Sequence, residues 1–393
     1  MKKVAIVGGC GHVGLPLAIA LAEHHRVVIF DVDPKAVERV KRGEMPFRDE
    51  GADEGLRQAL AKGLEVTGSP DSLASCDFVV VVIGTPVDEH LNPSFTAIDR
   101  LLGQLAEQLH DGQTLVLRST VFPGSSERVH RFFKQRGVDV EVAFCPERVA
   151  EGVALHEIRK LPQIISGFSP RGVEAARALF GPLGVELIEL APLEAELAKL
   201  FNNVYRYITF SVANQFFMLA SEAGVDFYKI LHAMKHHYPR AANMPSPGLT
   251  AGPCLFKDTM QMSAFNNNHF FLGHSAMLVN EGLPQFLVNR MRQRWPDLGE
   301  KTVGLMGMAF KGDSDDARES LSYKLKKVLS MHAGRVLTAD PFVQDASLRP
   351  EAEVLKTADL FVIGAPHQRY RTLSFGGKPV VDVWNHLGKG AQI

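Results

Sequence analysis

Cys254 lies in Gly252-Pro253-Cys254-Leu255-Phe256-Lys257-Asp258, with a lysine and an aspartate within four residues of the thiol. A free thiol titrates at about 8.5, and a neighbouring cation or a helix N-terminus favours the reactive thiolate. Lys257 would supply that cation, and Asp258 would draw a proton from water. Upstream, Met244-Pro245-Ser246-Pro247-Gly248 cannot continue a helix, so the thiol is expected on a loop or at a helix start. Taken alone, the same residues also read as a buried structural cysteine beside a solvated Lys-Asp pair.

A second chemical motif opens the chain. Gly9-Cys10-Gly11-His12-Val13-Gly14 follows the apolar run 4–7 and precedes the helix-like 15–22. Glycines there permit a tight turn and let backbone N–H groups approach a pyrophosphate at a helix N-terminus. The next apolar run ends at Asp31, where a carboxylate would meet ribose hydroxyls and repel a 2′-phosphate. This favours NAD over NADP. Asp33 competes for that role, and either aspartate also fits an ordinary strand-end turn.

Lys199 and Asn203 lie four apart and so share a helix face, where an ammonium and an amide can converge on an alkoxide. An exposed polar face is the plainer reading. Arg118-Ser119-Thr120-Val121-Phe122-Pro123-Gly124 and Cys145-Pro146-Glu147-Arg148-Val149-Ala150-Glu151-Gly152 each follow an apolar run, at the strand ends where doubly wound sheets bind ligands. Thr120 reads as a turn residue or as a ligand for water.

The elements that must position these groups alternate. Apolar runs at 4–7, 27–30, 78–83, 114–117, 140–144, 163–166 and 185–190 read as strands between helix-period segments, the pattern of a parallel α/β sheet. Residues 193–233 carry apolar side chains at three- and four-residue spacing and predict one long helix; 277–292 predicts another. A second strand–helix alternation then uses 303–306, 335–339, 360–363 and 380–383 as strands. The expected organisation is a dinucleotide-binding α/β domain over 1–192, a central helical domain with the Cys254 loop over 193–295, and a second α/β domain over 296–393.

Composition narrows the class. The 393 residues carry a formal net charge of -1, which offers no electrostatic reason for a nucleic acid or membrane partner. Cys10, Cys76, Cys145 and Cys254 lie far apart without C-x-x-C spacing, which argues against zinc and against a disulfide framework, and fits a reducing cytoplasm. The first apolar run meets glycine after four residues, too short for a signal peptide's core, and no apolar run reaches membrane-spanning length. His236-His237 and Asn266-Asn267-Asn268-His269 lack metal-ligand spacing, so no metal is expected.

Together the motifs resemble the nucleotide-sugar 6-dehydrogenases, the family of UDP-glucose, UDP-N-acetylhexosamine and GDP-mannose dehydrogenases. The matching pieces, in order, are Gly11-His12-Val13-Gly14-Leu15-Pro16-Leu17-Ala18, Gly84-Thr85-Pro86, Ser119-Thr120, Cys145-Pro146-Glu147-Arg148, Lys199-x-x-x-Asn203, Gly252-Pro253-Cys254-Leu255-x-Lys257-Asp258, and Phe310-Lys311 through Asp315-Asp316-Ala317-Arg318-Glu319-Ser320. The resemblance covers essentially the whole chain. It implies two Rossmann-like domains joined by a long helix, a homodimer built on that helix, and oxidation of a sugar C6 alcohol to a carboxylate with two NAD+.

By the same resemblance, Cys254 would attack the intermediate aldehyde, and its thioester would be hydrolysed by water. Lys199 and Asn203 would stabilise oxyanions, and Asp258 and Thr120 would hold water, with Glu151 as a further acid or base. Gly9, Gly11, His12, Val13, Gly14, Asp31, Thr85, Thr120 and Arg318 would bind the cofactor. Glu147, Lys199, Asn203, Arg240, Gly248 and Lys311 would bind a nucleotide sugar, with a UDP-hexose as the expected form. His12 replaces a common tyrosine and Phe256 a common proline. Tyr238-Pro239-Arg240 and Cys145-Pro146-Glu147-Arg148 resemble the N-acetylhexosamine branch, while Lys257 resembles the glucose branch. Two other functions fit parts of the pattern: a single-step 3-hydroxyacid or phosphogluconate-type dehydrogenase, and a non-catalytic nucleotide-sugar binding protein.

Overall fold

The computed structural model describes residues 1–84, 95–250, 252–390 and 393, which separate into two compact units, Met1–Asn202 and Asn203–Ile393. Thr85 lies outside the described residues.

The first unit is built on six parallel strands, β1 (Lys3–Val7), β2 (Arg26–Phe30), β3 (Glu65–Thr67), β4 (Phe78–Val81), β5 (Thr114–Leu117) and β6 (Glu141–Phe144), in the order β3-β2-β1-β4-β5-β6. That reversal of direction at β1 is the doubly wound order whose switch point binds dinucleotides. Both faces are covered, so the strands other than the edge strand β3 are apolar after their first residues. Val4 and Ile6 pack into one core with Ile29 and Val80, while Ala5 and Val7 pack into the other with Val79 and Leu115. Two more strands, β7 (Gln163–Ile165) and β8 (Leu187–Glu189), pair with each other in a separate parallel sheet.

The helix Pro192–Glu222 follows and runs 31 residues. The expected single helix over 193–233 is instead two, because Gly224 turns the chain at φ +72° and Asp226 caps a new helix, Phe227–Lys235, through the Tyr228 N–H. The helices Gly252–Phe265 and Phe271–Arg294 come next. The second unit ends in a parallel sheet of β9 (Thr302–Met306), β10 (Arg335–Ala339), β11 (Leu360–Ile363) and β12 (Val380–Val381), ordered β10-β9-β11-β12. Among the described residues no helix is long and apolar enough to cross a membrane.

Candidate active site

The turn after β1 fits a dinucleotide. A Cβ at Gly9 would sit 2.8 Å from the Ile6 carbonyl oxygen, and one at Gly14 only 2.6 Å from the Gly9 Cα, so both positions exclude side chains. At Gly11 nothing lies nearer than 3.6 Å, which leaves room for a pyrophosphate above the backbone. Val13 stands at the N-terminal end of the helix Gly14–Leu21 without a side-chain cap, and His12 stacks on Phe47 with ring centroids 4.0 Å apart. The two aspartates after β2 have separate tasks. Asp33 caps the helix Pro34–Lys41 by accepting the Lys35 N–H at 2.9 Å. Asp31 accepts the Cys10 N–H at 3.0 Å and the Asp33 N–H at 3.1 Å, so its carboxylate is held beside the glycine turn. Burial and the Asp31 charge push the Cys10 thiol up to about 12, which makes it a poor nucleophile.

In the same unit Lys199 is 5% exposed and donates to Glu147 at 3.0 Å. The Val149 N–H binds the other Glu147 oxygen at 2.8 Å. A buried pair of this kind is costly to break, because removing one partner strands the other's charge. Thr120 is half-buried in the loop from β5 to the helix Ser125–Gln135, and Glu151 is half-buried in the turn before the helix Ala154–Ile158. Arg118 starts the Thr120 loop and is 1% exposed, donating to the Cys145 carbonyl oxygen at 3.0 Å and to Gln163 Oε1 at 2.8 Å. Burial pushes the Cys145 thiol up to about 11.

In the second unit Cys254 lies in the first turn of the helix Gly252–Phe265 and is exposed. Open N–H groups at a helix start favour a thiolate there. Gly252 adopts φ +65°, and a Cβ on it would meet the Phe310 ring at 2.6 Å, so only glycine lets the chain enter this helix. One turn on, Asp258 is fully buried and accepts the Asn203 side-chain amide at 2.6 Å. Lys257 Nζ stands 3.7 Å from Asp258 Oδ1. Gly248 is buried: its N–H binds Asn214 Oδ1 at 2.8 Å and its C=O accepts from Asn214 Nδ2 at 3.2 Å. A Cβ there would lie 2.2 Å from the Trp384 ring.

Lys311 is half-buried after β9, in a stretch anchored by Asp340, which accepts the Met308 and Ala309 N–H groups at 2.6 and 3.1 Å. His367 completes that anchor. Its Nδ1 accepts the Asp313 N–H at 2.9 Å and its Nε2 lies 3.0 Å from Asp340, which assigns the proton to Nε2. Arg318 folds back onto Asp316, with its guanidinium 2.6 Å from Oδ2. Arg240 is exposed in the turn Pro239–Ala241, 5.7 Å from the centre of the Tyr238 ring. Sequence reasoning had no signal for the Asn214, Asp340 and His367 supports, because each holds backbone groups far along the chain.

Known proteins match this chain along its length. Family models describe residues 2–183 as the NAD binding domain, 193–281 as the central domain and 304–389 as the UDP binding domain of the UDP-glucose/GDP-mannose dehydrogenase family. The UDP-N-acetyl-D-mannosamine dehydrogenase of Pyrococcus horikoshii is 28% identical, the match covering 99% of this chain and 93% of that protein. An NDP-N-acetyl-D-galactosaminuronic acid dehydrogenase of Ralstonia nicotianae is also 28% identical, over 95% of this chain and 92% of its own. The solved structure of a UDP-glucose dehydrogenase from Pyrobaculum islandicum superposes with a TM-score of 0.90 at 27% identity, covering 98% of this chain and 94% of that one. The chain belongs to the UDP-glucose/GDP-mannose dehydrogenase family and is an NAD-dependent nucleotide-sugar dehydrogenase.

Proposed function

We propose that the protein oxidises the C6 alcohol of a UDP-linked hexose to the carboxylate in two NAD-dependent steps, the second carried by Cys254. The observation that carries this reading is the exposed Cys254 thiol in a helix first turn, with the buried Asp258–Asn203 pair one turn on. NAD+, held at the glycine turn and Asp31, would take up two hydrides in turn, one from the alcohol, whose hydroxyl proton passes to water, and one from the Cys254 adduct. The Cys254 thiolate adds to the aldehyde carbon, forming a C–S bond and an oxyanion that takes up a proton. Loss of that proton with the second hydride leaves a thioester. Water then breaks the C–S bond, releasing the uronate and the thiolate. Lys199 and Asn203, one helical turn apart, stabilise the oxyanions. Asp258 and Thr120 hold the water, with Glu151 as a further acid or base, and Glu147 binds the sugar.

Asp31 and the glycine turn select NAD, with His12, Val13, Thr85 and Arg318 as further contacts. Lys311 and Gly248 serve the nucleotide sugar. Residues 1–192 form the cofactor domain, 193–295 the dimerisation domain and 296–393 the nucleotide-sugar domain. The partner in the assembly is a second copy. Phe201, Tyr205, Val212, Phe216 and Leu219 are all at least 40% exposed along one helix, at spacings of three, four and seven, a continuous apolar stripe. Arg240 reaches the sugar held by that second copy. The enzyme works in the cytoplasm.

Among the relatives, names ending in N-acetyl-D-mannosamine and N-acetyl-D-galactosaminuronic acid dehydrogenase favour an N-acetylated hexose. NADH production with a panel of UDP-, GDP- and dTDP-linked hexoses, with and without the N-acetyl group, tests this. UDP-N-acetylhexosamines are expected to give the highest kcat/KM, and a GDP- or dTDP-sugar preference would overturn the assignment.

A further inference from the structure

Glu196 carries no part of the chemistry described above, yet it is 1% exposed on the helix that bears Lys199, three residues before it. Its two carboxylate oxygens reach about 70 residues back along the chain. One accepts the Gly124 N–H at 2.6 Å, the other the Ser126 N–H at 2.8 Å. These amides open the 11-residue helix Ser125–Gln135, whose own cap, Gly124, has no side chain to offer and adopts φ +88°. Glu196 therefore supplies the missing cap from outside, as a charge-assisted pair at the positive end of the helix.

The segment it clamps is the Thr120 loop. Arg118 pins the upstream end through the Cys145 carbonyl oxygen and Gln163. The Arg118 carbonyl oxygen in turn faces the Glu147 N–H at 3.4 Å, and Glu147 binds Lys199 at 3.0 Å. The contacts close a ring: Lys199 to Glu147, Glu147 to Arg118, through Thr120 to Gly124, and from Gly124 to Glu196 on the Lys199 helix. A loop held at both ends from one helix keeps a fixed register with the ammonium on that helix. A carboxylate buried at 1% exposure is a costly way to cap a helix.

We propose that Glu196 is a positioning residue of the oxidation, holding the Thr120 loop in register with Lys199. The inference rests on the reading that Thr120 takes part in the chemistry. Burial pushes the Glu196 carboxyl up, while the Ser126 and Gly124 N–H donors pull it back, consistent with a charged form that depends on those two bonds.

The test is a double-mutant cycle of Glu196→Gln and Thr120→Ala in the full-length enzyme, assayed with NAD+ and UDP-N-acetyl-D-mannosamine, with melting curves for each variant. Glutamine keeps the size but turns one acceptor into a donor facing an N–H. Glu196→Gln is expected to lower kcat on the order of 10- to 100-fold with KM for NAD+ unchanged, as for a reacting group displaced by about 1 Å. Glu196→Asp, which keeps the charge, should recover part of that loss and takes the place of the glutamine variant if the latter does not fold. In the Thr120→Ala background the Glu196 substitution should cost little more. Full kcat in a folded Glu196 variant overturns the inference, as does an undiminished loss in the Thr120→Ala background, which would mean a general structural role. Wild-type kcat in Thr120→Ala alone would instead remove the reading of Thr120, and the inference with it.

Discussion

Asn203 donates its side-chain amide to Asp258 at 2.6 Å, tying the long helix to the helix that opens with Cys254. Asp258 is fully buried, and Lys257 Nζ stands 3.7 Å from its other oxygen. A carboxylate held this way is oriented before any ligand arrives, as general acid–base chemistry requires. The same bond orients the Asn203 amide, the group proposed as an oxyanion donor.

The position of Asp31 beside the glycine turn predicts a cofactor preference. Replacing the ribose 2′-hydroxyl by a phosphate loses its hydrogen bond to the carboxylate and adds charge repulsion, together about 2–4 kcal/mol. Steady-state kcat/KM should favour NAD+ over NADP+ accordingly. Equal values for the two would rule out this role for Asp31.

Thiol reactivity should separate the four cysteines. Burial pushes Cys10 up to about 12, Cys145 up to about 11 and Cys76 upward, whereas Cys254 is exposed at a helix start. Limited iodoacetamide at pH 8, followed by peptide mass mapping, should label Cys254 at least about tenfold faster than the others, with activity falling in step. Activity loss that tracks Cys10 or Cys145 would point to the wrong thiol having been chosen.

Asp340 predicts a stability effect with a defined sign. Burial alone would push its carboxyl up, but His367 and the Val343 and Phe342 N–H donors outweigh it and bring it down from 3.8 to about 2. A depressed folded value stabilises above the unfolded value and is lost as pH falls through the folded one. Asp340→Asn should therefore destabilise by about 2 kcal/mol at pH 7, the gap to wild type narrowing between about pH 4 and pH 2. Urea titrations at several pH values give this directly, and a gap that stays constant with pH would show that shape rather than charge matters.

Much of this was legible in the chain. The strands of the first sheet read clearly because both faces are buried, leaving continuous apolar runs such as Phe78–Val81. β3 escaped because its three residues, Glu-Val-Thr, lie partly exposed at the sheet edge. Gly224 escaped because the apolar period resumes after it, and only its positive φ shows the break. Among the candidate residues, Lys199 and Asn203, and Cys254 and Asp258, were each legible as a pair four apart on a helix. Glu196 and His367 were not, since they hold backbone N–H groups far along the chain and leave no pattern of residue types.

Arg240 stands exposed on a turn, free of the helix that precedes it. If it reaches the sugar of a second copy, Arg240→Ala should raise KM for UDP-N-acetyl-D-mannosamine about 10- to 100-fold, the cost of a charged hydrogen bond, and leave KM for NAD+ alone. Mixing that variant with Cys254→Ala should restore activity, because one heterodimer site regains both residues. No recovery in samples shown to exchange subunits would assign Arg240 to its own chain or to neither.

The role of Cys254 is tested most directly by the products of the Cys254→Ser enzyme beside those of the wild type. NADH and uronate are counted in the same samples with UDP-N-acetyl-D-mannosamine limiting. The wild type should yield two NADH for each uronate released. An alkoxide leaves far less readily than a thiolate, so the serine variant should release almost no uronate and retain a covalent sugar adduct visible by mass spectrometry. Wild-type uronate release from the serine variant, or one NADH per sugar from the native enzyme, would show that Cys254 is not the nucleophile of a four-electron oxidation.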